Sequence, residues 1–227
     1  MVSCSLSSVQ AHLMHSTSTS LKNCEIFIVP RWAGASHSDW YPWLGEQLQA
    51  VATEDGFNYQ VHALNMPAWD LPVIERAVDY LMEVLPPERL GPNVYLIGHS
   101  VGCLAILHYL ARVAEQNPTA TQLGGVLCVA GWFSVDSPWQ DILNWMHAPI
   151  NFEAARRLIP EEKLTVLLSD DDPYTSGYQD NERLWVERLR SQVSILAGRQ
   201  HFSSQLDFDV RDAVRDLVGA LSPSSIG

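Results

Sequence analysis

Three short runs, Ile26-Phe27-Ile28-Val29, Val94-Tyr95-Leu96-Ile97 and Val126-Leu127-Cys128-Val129-Ala130, are apolar at every position. A strand with one wet face alternates apolar and polar residues, so runs of this kind mark strands covered on both faces. Tyr59 to Leu64, Leu164 to Leu168 and Val193 to Ala197 read as further strands. Between them lie segments with helical spacing. Trp40, Trp43, Leu44, Leu48 and Val51 form one, stopped at Asp55-Gly56. Ile74, Val78, Leu81, Met82 and Leu85 form another, stopped at Pro86-Pro87. An apolar helix through about Glu115 follows the third strand, and two more helices fit Tyr178 to Ser191 and Asp209 to Leu221. Regular strand–helix alternation predicts an α/β fold, a three-layer sandwich around a mostly parallel sheet of about six strands.

A chain of 227 residues with 47% hydrophobic and 18% charged residues can bury one large core. Nothing rich enough in Gly or Ser marks a second domain, so one domain is expected over residues 25–227. Residues 1–24, polar and Ser/Thr-rich, read as a flexible tail without the basic start and apolar run of a signal peptide. One segment breaks the alternation: residues 132–160 have no strand and carry Trp132, Trp139 and Trp145, which predicts a small helical insert over the sheet edge, near the site. The formal net charge of −12 argues against nucleic acid as a partner, and no run is long enough to span a membrane. Cys4, Cys24, Cys103 and Cys128 have no metal-binding spacing. Cys4 and Cys24 are free to pair but need not. A reducing, cytoplasmic setting is expected, and oligomeric state is left open.

Gly98-His99-Ser100-Val101-Gly102 joins the third strand to its helix and matches the G-x-S-x-G nucleophile elbow. The small residues on either side permit a sharp, strained turn that lifts the serine hydroxyl above the sheet, at the positive end of the helix. A serine needs a base, and the base an orienting carboxylate. In chain order, Asp170-Asp171-Asp172-Pro173 follows the fifth strand and His201 the sixth, both on the side of the sheet where Ser100 sits. His201 is the best-placed base; His99, inside the elbow, is expected to pack beside the site. No metal-ligand set is expected, and no cofactor is needed.

These residues resemble the compact serine hydrolases of the α/β-hydrolase superfamily, the retinoblastoma-binding protein 9 and YdeN-like group. The resemblance rests on Val29-Pro30, Trp40-Tyr41-Pro42-Trp43, Asn65-Met66-Pro67, Gly98-His99-Ser100, Ser169 through Pro173 and His201-Phe202. It implies a Ser100–His201–Asp172 triad, the family placing its aspartate just before the proline, with Asp171 as the fallback. It also implies an oxyanion hole from the backbone N–H groups of Val101 and Trp32. This chain departs from the family at Arg31-Trp32-Ala33-Gly34, where the first loop is usually glycine-rich, and at Gln200, where glycine is usual. Arg31 is therefore expected to bind a substrate carboxylate, with His99, Trp132, Trp139 and Trp145 as further substrate contacts.

The expected function is hydrolysis of a carboxylic ester, thioester or activated amide, with a small-molecule acyl substrate. Two alternatives stand beside it: the same site used for acyl transfer or lyase- or cyclase-like chemistry, and a non-catalytic interaction protein on the same scaffold.

Overall fold

The computed structural model describes residues 20–220. Six strands form one open sheet in the order β2-β1-β3-β4-β5-β6, and all five pairings are parallel. The strands are β1 (Lys22–Val29), β2 (Phe57–Ala63), β3 (Val94–His99), β4 (Gly125–Val129), β5 (Leu164–Ser169) and β6 (Gln192–Leu196). Among the described residues, seven α-helices connect and cover them: α1 (Tyr41–Asp55), α2 (Ile74–Val84), α3 (Val101–Gln116), α4 (Gln140–His147), α5 (Phe152–Arg157), α6 (Tyr178–Leu189) and α7 (Phe208–Val218).

The all-apolar strands supply two cores at once, because successive side chains leave the sheet on opposite faces. Phe27, Val29, Leu96, Val126 and Cys128 enter the core shared with α2, α3, α5 and α6. Ile26, Ile28, Ile97, Leu127 and Val129 enter the core shared with α1 and α7. Cys24, Cys103 and Cys128 are buried thiols. Among the described residues, no helix is long and apolar enough to cross a membrane.

Two expectations change. β1 begins at Lys22, so residues 22–24 are not tail but pair with Phe57 to Tyr59 of β2. Residues 1–19, the remainder of the predicted tail, and with them Cys4, lie outside the described residues. The insert does not cover the sheet edge. Its second helix, α5, packs on α3 and α6 in the middle of one face, where the crossover from β4 to β5 belongs.

The sheet order matters for function. The chain leaves β1 for β2 on one side and returns to β3 on the other. The loops after β1 and β3 therefore diverge at the carboxyl ends of the strands, leaving a crevice where parallel α/β sheets bind ligands. Ser100 follows β3 and Arg31-Trp32 follow β1, so both loops open on that crevice.

Candidate active site

Ser100 sits at φ 56°, ψ −122°, immediately before the first residue of α3. That is strained for a residue with a Cβ, and the neighbours show what holds it. A Cβ on Gly102 would lie 2.2 Å from the Val29 carbonyl oxygen, and one on Gly98 2.6 Å from the Cys103 Cα. The start of α3 thus rests directly on the end of β1. Gly102→Ala is expected to push α3 off that seat, lowering the melting midpoint by about 5 °C or more. Thermal denaturation followed by circular dichroism checks it; an unchanged midpoint would contradict the close seating.

Of the three consecutive aspartates, each has a different task. Asp172 is 6% exposed; its Oδ2 accepts from His201 Nδ1 at 2.8 Å, and its Oδ1 accepts from the Tyr174 N–H at 2.9 Å. Asp170 and Asp171 are exposed, but they are more than a solvated acidic turn. Asp170 Oδ1 accepts from the Gly198 N–H at 2.9 Å, and Asp171 Oδ1 from the Gln200 N–H at 2.7 Å. Ser169 Oγ accepts from the Arg199 N–H at 3.0 Å and donates to Asp171 Oδ1 at 2.7 Å. Those bonds, the Ser169 hydroxyl foremost and the Gln200 N–H next, hold the Asp171 carboxyl below its usual range. Three successive N–H groups of the loop after β6 are thereby tied to the loop after β5. The tie delivers His201 to Asp172. Gln200 adopts φ 49° within it, a conformation that favours glycine and explains why glycine is usual there.

His99 is fully buried and joins two loops. One ring nitrogen, Nε2, faces the His201 carbonyl oxygen at 2.8 Å, so it carries the proton and donates. Nδ1 then accepts from the Tyr41 hydroxyl at 2.8 Å, and that hydroxyl oxygen accepts from the Arg31 N–H at 3.1 Å. Burial, and then the neighbouring His201, push the His99 pKa well below 6.5, so the ring stays neutral. It braces the loop of His201 against the loop of Arg31 and does not line the cavity beside Ser100.

Ser100, His201, Arg31, Trp32, Val101, Trp132 and Trp139 line one cavity of about 210 Å3. Val135, Ile142 and Tyr174 complete its wall, and none of the three is distinguishable in the sequence from ordinary core or loop residues. The Tyr174 ring stands edge-on to His201 with centroids 4.7 Å apart. Trp145 is absent from the cavity: it is 1% exposed, packs in the core, and its indole donates to the Pro72 carbonyl at 2.9 Å. Arg31 reaches the wall already engaged. Its Nε and Nη2 hold both oxygens of the nearly buried Asp39 at 2.7 and 3.2 Å, and its Nη1 donates to the Trp32 carbonyl at 3.2 Å. Ser100 Oγ accepts from Trp132 Nε1 at 3.2 Å.

Most backbone N–H groups of the first loop are already paired. Arg31 N–H donates to Tyr41, Ala33 N–H to the Trp69 carbonyl and Gly34 N–H to the Arg31 carbonyl. The Trp32 N–H has no acceptor among the described residues. Val101 is the first residue of α3, where an N–H has no partner within its helix.

A sequence profile described as "Serine hydrolase" matches residues 26–219. Over 108 residues the chain is 36% identical to YdeN of Bacillus subtilis (strain 168). That match covers 48% of this chain and 50% of YdeN, about half the length of that relative. The crystal structure of YdeN superimposes with a TM-score of 0.70 at 23% identity, covering 86% of this chain and 98% of that one. Est1E from Butyrivibrio proteoclasticus, solved with ferulic acid bound, superimposes with a TM-score of 0.58 at 10% identity, covering 86% of this chain and 88% of Est1E. The elbow, the sheet order and these likenesses agree: the chain belongs to the serine hydrolase family and is an enzyme of YdeN-like α/β-hydrolase fold.

Proposed function

We propose that the protein hydrolyses small carboxylic esters or thioesters through an acyl-enzyme, using Ser100, His201 and Asp172. The observation that carries this reading is that the His201–Asp172 pair and the Ser100 elbow open on one cavity. His201 Nδ1–H is committed to Asp172, which leaves Nε2 as the basic nitrogen. Ser100 Oγ adds to the substrate carbonyl as its proton passes to Nε2. The carbonyl oxygen, now anionic, takes the N–H groups of Trp32 and Val101 at the positive end of α3. Collapse expels the alcohol or thiol with the proton from His201, and water then repeats the sequence on the acyl-enzyme.

The walls supplied by Trp32, Trp132, Val135, Trp139, Ile142 and Tyr174 suit an apolar or aromatic acyl group. A cavity of about 150 Å3 holds a benzene-sized guest, so this one accommodates an aryl or short alkyl acyl group. The test is covalent: a fluorophosphonate probe should label the native protein at Ser100, and an unlabelled native protein would refute the reading.

The pairing of Arg31 with Asp39 supports a loop-holding role in place of the expected carboxylate anchor. Arg31→Ala should lower kcat/KM by about tenfold on a neutral p-nitrophenyl ester and equally on an anionic hemisuccinate ester, because the loop carrying Trp32 loosens for both. A loss confined to the anionic ester would restore the anchor.

A further inference from the structure

Trp132 makes a contact that substrate binding does not require: its indole N–H points at the nucleophile itself, 3.2 Å from Ser100 Oγ. The contact is built. Ala130, at the end of β4, takes φ 48°, and a Cβ on the next residue, Gly131, would lie 2.7 Å from the Trp185 ring. Trp185, fully buried on α6, donates its indole N–H to the Gly131 carbonyl at 3.1 Å. Beyond Trp132, the N–H groups of Phe133 and Ser134 both donate to Asn181 Oδ1, at 2.7 and 3.1 Å, and Asn181 Nδ2 donates back to the Ser134 carbonyl at 3.1 Å. Asn181 is itself 1% exposed. Two buried side chains of α6 therefore clamp the backbone on either side of Trp132.

We infer that Trp132 is a catalytic residue whose indole N–H serves the serine oxygen as it leaves the acyl carbon, and so drives deacylation. This rests on Ser100 being the nucleophile. An indole N–H only donates, so it cannot take the serine proton. It occupies a lone pair of Oγ and leaves the hydroxyl hydrogen to point elsewhere.

The consequence differs between the two half-reactions. Only interactions stronger in the transition state than in the ground state accelerate a step. In acylation the C–Oγ bond forms as the hydroxyl proton moves to His201; the indole bond already exists in the resting hydroxyl and adds little. In the acyl-enzyme, Oγ is an ester oxygen and a weak acceptor. Water adds to the acyl carbon and passes its proton to His201. The C–Oγ bond then breaks, its electron pair stays on Oγ, and Oγ takes that proton back. Negative charge grows on Oγ during this step, and the indole bond strengthens with it.

The experiment separates the half-reactions with p-nitrophenyl butyrate. The p-nitrophenolate burst reads acylation, and rapid-quench intact-protein mass measurement reads loss of the butyryl adduct. Two variants are compared with the native protein: Trp132→Phe, and Trp132→3-benzothienylalanine, which keeps the indole outline but replaces N–H by sulfur. Both should deacylate about ten- to hundredfold more slowly, with acylation changed by less than about threefold. The inference fails if the sulfur isostere deacylates at the native rate, since ring volume alone would then account for any loss with phenylalanine. It also fails if both half-reactions slow equally. A native protein that forms no butyryl adduct, or a Ser100→Ala variant that still does, would overturn the triad reading itself. Native acylation with variants that deacylate normally would overturn only the role of Trp132.

Discussion

Ser100→Ala should lower ester turnover by about 10^4- to 10^6-fold while leaving the fold intact. Removing the nucleophile of a triad costs nearly as much as removing all three members, because the base and the acid act only through it. What remains is the rate from oxyanion donors acting on a water, about 10^3- to 10^4-fold above the uncatalysed reaction. On the proposed mechanism those donors are the N–H groups of Trp32 and Val101, which the substitution leaves untouched.

Stability should scarcely move. Alanine retains the Cβ that makes φ 56° strained, so that strain is the same in both proteins. The backbone N–H of residue 100 still donates to the Val129 carbonyl at 2.8 Å, and the carbonyl still accepts from Cys103 at 3.0 Å. The side chain lost is a hydroxyl at a cavity wall, and its one partner among the described residues, the Trp132 indole, can be met there by water. A change within about 1 kcal/mol is expected. Turnover of p-nitrophenyl butyrate and a melting curve, measured on one preparation, check both halves. Retention of more than about one per cent of native turnover would place the nucleophile elsewhere.

The features legible from residue types are those where sterics leave one solution. Gly98 and Gly102 flank Ser100 because backbone lies within 3 Å of where their Cβ atoms would be, and that constraint shows as spacing. The apolar runs announced β1, β3 and β4 because a strand between two helical layers has no wet face. The start of β1 did not show, since Lys22 and Asn23 are exposed ladder residues whose pairing is made by backbone alone. Side-chain direction was the weaker inference. His99 stands next to Ser100 in the chain, yet it is fully buried between the Tyr41 hydroxyl and the His201 carbonyl. Trp139 and Trp145 belong to one aromatic insert, but Trp139 is 40% exposed at the cavity and Trp145 lies in the core. Composition alone does not separate these places. Nor does it pair Arg31 with Asp39, because that bond depends on how the first loop turns between them.

The second large effect distinguishes two adjacent carboxylates. Asp172→Asn should lower turnover by about 10^4-fold, whereas Asp171→Asn should stay within about tenfold of native. An asparagine at 172 keeps one acceptor oxygen, which the Tyr174 N–H can occupy as it now occupies Oδ1. The amide NH2 then faces His201 Nδ1. Two donors cannot meet there, so Nδ1 must become the acceptor and the proton moves to Nε2, the nitrogen that has to receive the serine proton. The geometry survives and the base is lost. At 171 the amide oxygen can keep both bonds that matter, from the Ser169 hydroxyl and the Gln200 N–H, and the tie that positions His201 holds. Only a negative charge on an exposed residue disappears. Equal losses would mean that the tie between the two loops governs catalysis as strongly as the tautomer of His201. A larger loss at 171 would move the triad acid one position along the chain.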